Sequence, residues 1–132
     1  MNDGIRVLYV DDEPDLRRIV TMSLKLDPQL EVRTCEDGRE GLEVAEEWQP
    51  ALILLDMMMP GLDGIATHGL LRANPATCDI PVAFVTGVAH SDERRLLEKA
   101  GAVGIIAKPF DCTRLAQTVR SLLSARSVGL AR

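Results

Sequence analysis

The 132-residue chain predicts a doubly wound α/β domain, a parallel sheet of five strands alternating with five helices that cover both faces. Three observations lead there. Short apolar runs of strand length recur, separated by amphipathic stretches of helical length, the pattern of buried parallel strands joined by crossover helices. Turn-forming Gly, Pro and Asp residues punctuate the joints. Four of the runs also end on a polar residue: Ile5 to Val10 on Asp11, Ala51 to Leu55 on Asp56, Pro81 to Val85 on Thr86, and Val103 to Ala107 on Lys108. In an open parallel sheet, ligands bind beyond the carboxyl ends of the strands. Two acids, a hydroxyl and an ammonium are therefore expected to meet at one edge.

The first strand, about residues 5 to 10, gives way to Asp11-Asp12-Glu13-Pro14. Proline suits the first helical turn, so a helix starts there and is expected to carry Leu16, Ile19, Val20 and Leu24 inward until Asp27-Pro28. Leu30 to Cys35 sets Leu30, Val32 and Thr34 against Glu31, Arg33 and Cys35, which suits an edge strand with one wetter face. Asp37-Gly38 opens a second helix with Leu42, Ala45 and Trp48 on one side, closed by Pro50. The third strand, Ala51 to Leu55, is apolar on both faces and belongs in the centre. In the loop that follows, Pro60-Gly61 marks a turn and Asp63 is placed to cap a third helix, which ends near Asn74-Pro75.

Pro81 stands at the start of the fourth strand, where strands tolerate proline. Thr86 to His90 form a loop, and Ser91-Asp92-Glu93 supply a cap and an acidic first turn for a fourth helix. Gly101 and Gly104 bracket the entry to the fifth strand. Beyond Lys108-Pro109-Phe110-Asp111, a last helix places Leu115, Val119, Leu122 and Leu123 at helical spacing, with Arg114, Gln117 and Arg120 outward for a partner. The expected organisation is one domain over 1–132, with a core from about 5 to 124 and a short tail, 125–132.

Hydrophobic content of 46% against 27% charged residues excludes a disordered chain. The core must be largely aliphatic, because Tyr9, Trp48, Phe84 and Phe110 are the only aromatic residues. A net charge of -5 argues against general nucleic-acid binding or an anionic membrane surface. The longest apolar neighbourhood, Ala51 to Met59, contains Asp56 and is too short to span a bilayer. Asn2, Asp3 and Gly4 do not resemble a signal peptide, and three cysteines without CxxC pairing suit reduced thiols. A cytoplasmic protein is expected.

If the strand order is 2-1-3-4-5, the first and third strands are neighbours and the carboxylates of Asp11, Asp12 and Asp56 are expected to lie within several ångströms. Two like charges at that range repel by roughly 4 kcal/mol at an effective dielectric near 20, so the cluster needs a cation or a shifted protonation state. Oxygen-only ligands suit Mg²⁺. Capping of the first helix is the plainer role for Asp11-Asp12, but the coincidence with Asp56 argues for a site. A carboxylate at the mouth of a site can act as a nucleophile toward phosphorus, with Thr86 and Lys108 donating to the transferring oxygens. His68 reads as a surface or packing residue. His90 falls in a loop without a partner at metal-ligand spacing, and Met57, Met58 and Met59 read as packing.

The stretches VLYVDDEP, LILLDMMMPGLDG, AFVTG and AKPF, in that order and spacing, make the chain resemble a response-regulator receiver domain of two-component signalling. The resemblance covers about residues 5 to 124 and implies a flavodoxin-like (βα)5 sandwich. It implies Asp56 as phosphoacceptor, and Mg²⁺ held by Asp12, Asp56 and the backbone carbonyl of Met58, with Asp11 acting mainly through water. Thr86, Gly87 and Lys108 would contact the phosphoryl group, and the Lys108-Pro109 peptide would be cis. The implied donor is a histidine kinase or histidine phosphotransfer protein. The implied output is a downstream protein effector, reached through the Thr86 loop and the face of the fourth helix, fifth strand and fifth helix.

One position departs from the family. Ile105 stands where an aromatic switch residue is usual, and an aliphatic side chain cannot make the same swing. Met58 and Val88, two positions after Asp56 and Thr86, are both apolar and bear on how a hydrolytic water is oriented. Ile105 gives weight to a second reading, a phosphorylation-independent interaction domain. A Mg²⁺-dependent aspartyl phosphohydrolase is disfavoured, because Met58 stands where such enzymes carry a second aspartate. The expected protein is not a conventional enzyme, though it assists its own phosphorylation and dephosphorylation.

Overall fold

The computed structural model describes residues 4–87 and 91–130. Five strands, β1 (Ile5–Val10), β2 (Leu30–Cys35), β3 (Leu52–Asp56), β4 (Val82–Thr86) and β5 (Gly104–Ala107), alternate with five helices. These are α1 (Pro14–Leu24), α2 (Gly38–Trp48), α3 (Gly64–Ala73), α4 (Ser91–Lys99) and α5 (Leu115–Leu130). The strands pair in parallel in the order β2-β1-β3-β4-β5, the expected order. β3 is buried along its whole length, as an apolar run between two paired neighbours requires. β2 lies at an edge and shows the wetter alternation.

Successive side chains of a strand point to opposite faces, so each inner strand feeds two apolar layers. Val7, Tyr9, Leu54 and Val85 pack with Val20 and Leu24 of α1 and with Leu115 and Val119 of α5. Leu8, Ile53, Leu55 and Phe84 pack with Ala45 of α2, Leu71 of α3 and Leu97 of α4. Fully burying each large aliphatic side chain contributes roughly 1.5–3 kcal/mol. Tyr9 and Phe84 are the aromatic residues fully buried in an otherwise aliphatic core. The helices start as the sequence suggests at two places: Asp37 accepts from the Glu40 N–H, and Asp63 from the Ala66 N–H.

Several expectations are corrected. Ile19 does not face the core and is 40% exposed, because α1 buries the Val20, Ser23 and Leu24 side. One residue round the helix is about 100°, enough to turn Ile19 outward with Met22. Cys35 belongs to the buried layer rather than the wet face, since α2 closes over that end of β2 and brings Ala45 into the same layer. Arg120 faces outward, 39% exposed, but is already engaged: its guanidinium grips Asp27 at 2.8 and 3.1 Å and Gln29 at 2.6 Å, tying α5 to the α1–β2 turn. The last helix runs through residue 130. Val88 and His90 lie outside the described residues, as do the side chains of Ser91 and Glu93.

Candidate functional site

Strand geometry brings the polar ends together. Val10 pairs with Leu55, Asp56 with Val85, and Thr86 with Ala107, so the chain leaves β1, β3, β4 and β5 at one level. Asp11 is fully buried, and Asp56 and Thr86 are nearly so, while Asp12 is exposed at the rim. Carboxylate oxygens of Asp11, Asp12 and Asp56 lie within 4.8 Å of one another. Lys108 reaches in from the end of β5, its Nζ at 3.3 Å from Asp11 Oδ2 and at 3.3 Å from Asp56 Oδ1. The Lys108 N–H donates to the Thr86 carbonyl at 2.7 Å, and the Lys108-Pro109 peptide is cis.

Local structure holds each acid. Asp11 Oδ1 accepts the Glu13 N–H at 3.0 Å, and Arg17 donates to the Asp11 carbonyl at 2.8 Å. The N-cap position of α1 is Glu13, with no side-chain cap, so neither aspartate serves as the cap. The Met58 N–H lies 3.3 Å from Asp56 Oδ1, while the Met58 side chain points to solvent, 73% exposed. Gly64 opens α3 hard against this turn. Its N–H donates to the Met57 carbonyl at 3.0 Å, and a Cβ there would stand 2.4 Å from the Asp56 carbonyl oxygen. A side chain at position 64 would push the Asp56 backbone out of place.

The charges shape one another. Burial first, then the negative charge of Asp11, pushes the Asp56 carboxyl up to about 6, against the pull of Lys108. Partial burial pulls the Lys108 ammonium down, but Asp11 and Asp56 outweigh it and hold the group above its ordinary value. Three oxygen donors with an excess of negative charge fit a hard divalent cation such as Mg²⁺. They are the only such acidic or metal-ligating cluster among the described residues.

Other residues fall as follows. Gly87 leaves open space where a side chain would stand beside Thr86. Ile105 is half-buried opposite Phe84 in the sheet and packs on the α2–α4 side. His68 is a packing residue, buried edge-on to Phe84 at 5.3 Å and accepting from Arg72 Nε at 3.2 Å. Burial holds its imidazole below the ordinary value, so it stays a neutral acceptor. A 420 Å³ apolar groove lined by Leu16, Ile19, Phe110 and Cys112 opens beside Lys108 and Pro109.

One site residue escapes a reading of the strand ends alone. Tyr9, named in the sequence only as one of four aromatic residues, donates its buried hydroxyl to Asp11 Oδ2 at 2.5 Å. Burial and then the Asp11 hydrogen bond hold the phenol far above its ordinary value, so it stays protonated. The signal available was spacing: Tyr9 lies two residues before Asp11 and therefore on the same side of the strand.

The five-stranded sheet thus carries an acidic pocket and a lysine together at its carboxyl edge. Residues 7–120 match the family model described as response regulator receiver domain, and the chain belongs to that family. It is 38% identical over 129 residues to the transcriptional regulatory protein PrrA of Mycobacterium tuberculosis, covering 96% of this chain and 54% of that protein. It is 34% identical over 118 residues to the DNA-binding dual master transcriptional regulator RpaA of Synechocystis, covering 89% of this chain and 48% of that protein. The chain thus spans about half the length of these curated relatives. The solved chemotaxis protein CheY4 of Vibrio cholerae superposes with a TM-score of 0.83 at 28% identity, covering 91% of this chain and 99% of that one. Receiver domains serve phosphorylation-based signalling with histidine kinases and downstream effectors, and bind Mg²⁺ at an acidic pocket. No helix among the described residues is long and apolar enough to cross a membrane.

Proposed function

We propose that Asp56 accepts a phosphoryl group from a phosphohistidine of a histidine kinase or histidine phosphotransfer protein, and that the phosphorylated chain changes its affinity for a downstream protein effector. The observation that carries this reading is the Lys108 ammonium, 3.3 Å from both Asp11 and Asp56 at the mouth of a three-carboxylate pocket. In the transfer, an Asp56 oxygen attacks phosphorus, the P–N bond of the donor breaks, and the imidazole leaves with the electron pair. With its carboxyl pushed up to about 6, Asp56 is ionised near neutral pH, as a nucleophile must be.

Asp11, Asp12, Asp56 and the Met58 carbonyl are the residues that would hold Mg²⁺. When bound, the ion supplies positive charge to the transferring oxygens. Lys108 supplies a second, permanent counter-charge, and Thr86 with Gly87 lines the side on which the phosphoryl group would sit. A phosphoryl group adds about -1.5 to -2 charge there, enough to draw Thr86 inward and bias the α4–β5–α5 face. Ile105, packed opposite Phe84, stands where the family's aromatic partner is usual and cannot make its swing, so the bias would run through the Thr86 loop. The receiver unit is read as a single domain with its core over about 5–124, acting on proteins rather than directly on nucleic acid or membrane.

The test compares wild type with Asp56→Asn, each incubated with acetyl phosphate or beryllofluoride and Mg²⁺. Wild type is expected to gain one phosphoryl group by intact mass and to show Mg²⁺-dependent NMR changes, and Asp56→Asn to show neither. A wild-type protein that gives no Mg²⁺-dependent change sinks the reading and leaves a phosphorylation-independent interaction domain.

A further inference from the structure

Tyr9 is a phenol in a layer whose other buried members are all aliphatic. It is 1% exposed, next to Leu54 across the sheet and in the same cluster as Val20 and Val119. A leucine or valine would fill that layer without a polar atom to satisfy, so the hydroxyl has to be accounted for. Its acceptor is Asp11 Oδ2, at 2.5 Å. The same oxygen faces Lys108 Nζ at 3.3 Å, and the other Asp11 oxygen is taken by the Glu13 N–H at 3.0 Å. An ammonium paired with a single buried carboxylate closes to about 2.7–2.9 Å. Here Lys108 stands off and remains equidistant from Asp56, at 3.3 Å.

We infer that Tyr9 is a positioning residue: its buried hydroxyl holds Asp11 Oδ2 and so keeps the Lys108 ammonium shared with Asp56, free to turn to an incoming phosphoryl group. The arrangement explains why a carboxylate as deeply buried as Asp11 does not capture the lysine. Three donors, the phenol, the Glu13 N–H and the ammonium, divide its two oxygens. Without the phenol, the ammonium is the one remaining donor to Oδ2 among these three, and Lys108 moves toward Asp11. The functional half of this inference rests on Asp56 as the phosphoacceptor, and the geometric half does not.

Tyr9→Phe removes the oxygen and keeps the ring. The rate of phosphorylation by acetyl phosphate at saturating Mg²⁺ is expected to fall about tenfold or more, the scale of one hydrogen bond to a charged group. In metal-free protein the Lys108 side-chain resonances are expected to move. Tyr9 is the only tyrosine, so 3-fluorotyrosine labels this one position while keeping the hydroxyl. The fluorinated protein is expected to keep the wild-type rate, and its fluorine resonance to shift when Mg²⁺ and beryllofluoride are added. A Phe variant phosphorylated within about twofold of wild type, or one whose Lys108 resonances stay in place, overturns the inference and leaves Tyr9 as packing. So does a fluorine resonance that ignores beryllofluoride in a protein whose Asp56 responds to it, a measurement that needs no substitution. If wild type is itself inert to acetyl phosphate and beryllofluoride, the phosphoacceptor reading fails separately. Lys108 resonances that move in Tyr9→Phe then still uphold the Tyr9–Asp11–Lys108 arrangement, and unmoved ones overturn it.

Discussion

Asp56 sits in a pocket where its own charge is costly. Burial and the Asp11 carboxylate raise it from 3.8 to about 6, so folding favours its neutral form. The stability from that preference is fully present below about pH 4 and is lost as pH rises through about 6. At pH 8 the metal-free protein has lost that preference. Asp56→Asn is therefore expected to be the more stable protein in EDTA at pH 8, with the gap narrowing toward pH 5. Urea unfolding of both proteins at the two pH values checks this, and a gap that does not depend on pH contradicts it. Tyr9, Asp11 and Lys108 belong to the same residue-scale balance: each buried polar group here is tolerable because another satisfies it.

At the scale of elements, the site depends on how closely α3 follows β3. Gly64 begins the helix where a Cβ would meet the Asp56 carbonyl oxygen at 2.4 Å and the Met57 Cα at 2.7 Å. Both are backbone atoms, so a side chain cannot be accommodated by a rotamer change. Gly64→Ala is expected to destabilise the fold by several kcal/mol, in the range of severe overpacking, and to displace the Asp56 backbone resonances. Asp63 one residue earlier caps the same helix, accepting from the Ala66 N–H at 2.8 Å. Asp63→Ala is expected to cost about 1 kcal/mol, with Asp63→Asn restoring most of it; equal losses in denaturation for the two variants would mean that the cap is not the reason for the residue. The loop motif thus reads as two devices, one aspartate that starts a helix and one glycine that lets it start against the strand end.

Across the whole molecule, the sheet buries two aliphatic layers and leaves its polar chemistry at one edge. Leu54 is at the middle of one layer, fully buried among residues of β1, β4, α1 and α5. Leu54→Ala is expected to cost about 2–5 kcal/mol by leaving a cavity, and a denaturation midpoint unchanged from wild type would show that the layer repacks. Much of this architecture was legible in the chain because its signals are local. An apolar run that ends on Asp11, Asp56, Thr86 or Lys108 marks both a buried strand and what stands at its tip. The alternation of run and amphipathic stretch, with right-handed crossovers, then points those tips to one edge. Contacts between distant segments carry no such signal. Arg120 finds Asp27 and Gln29 across more than ninety residues, and Ile19 turns outward because of where α1 settles on the sheet. Cys35 is buried because α2 covers its end of β2. The alternation of strands and helices and the identity of the polar tips follow from periodicity and residue type. How the tips divide their charges, with Tyr9 and Lys108 both on Asp11 Oδ2, was decided by tertiary packing, because a hydrogen bond of 2.5 Å or an ion pair of 3.3 Å depends on where whole layers come to rest.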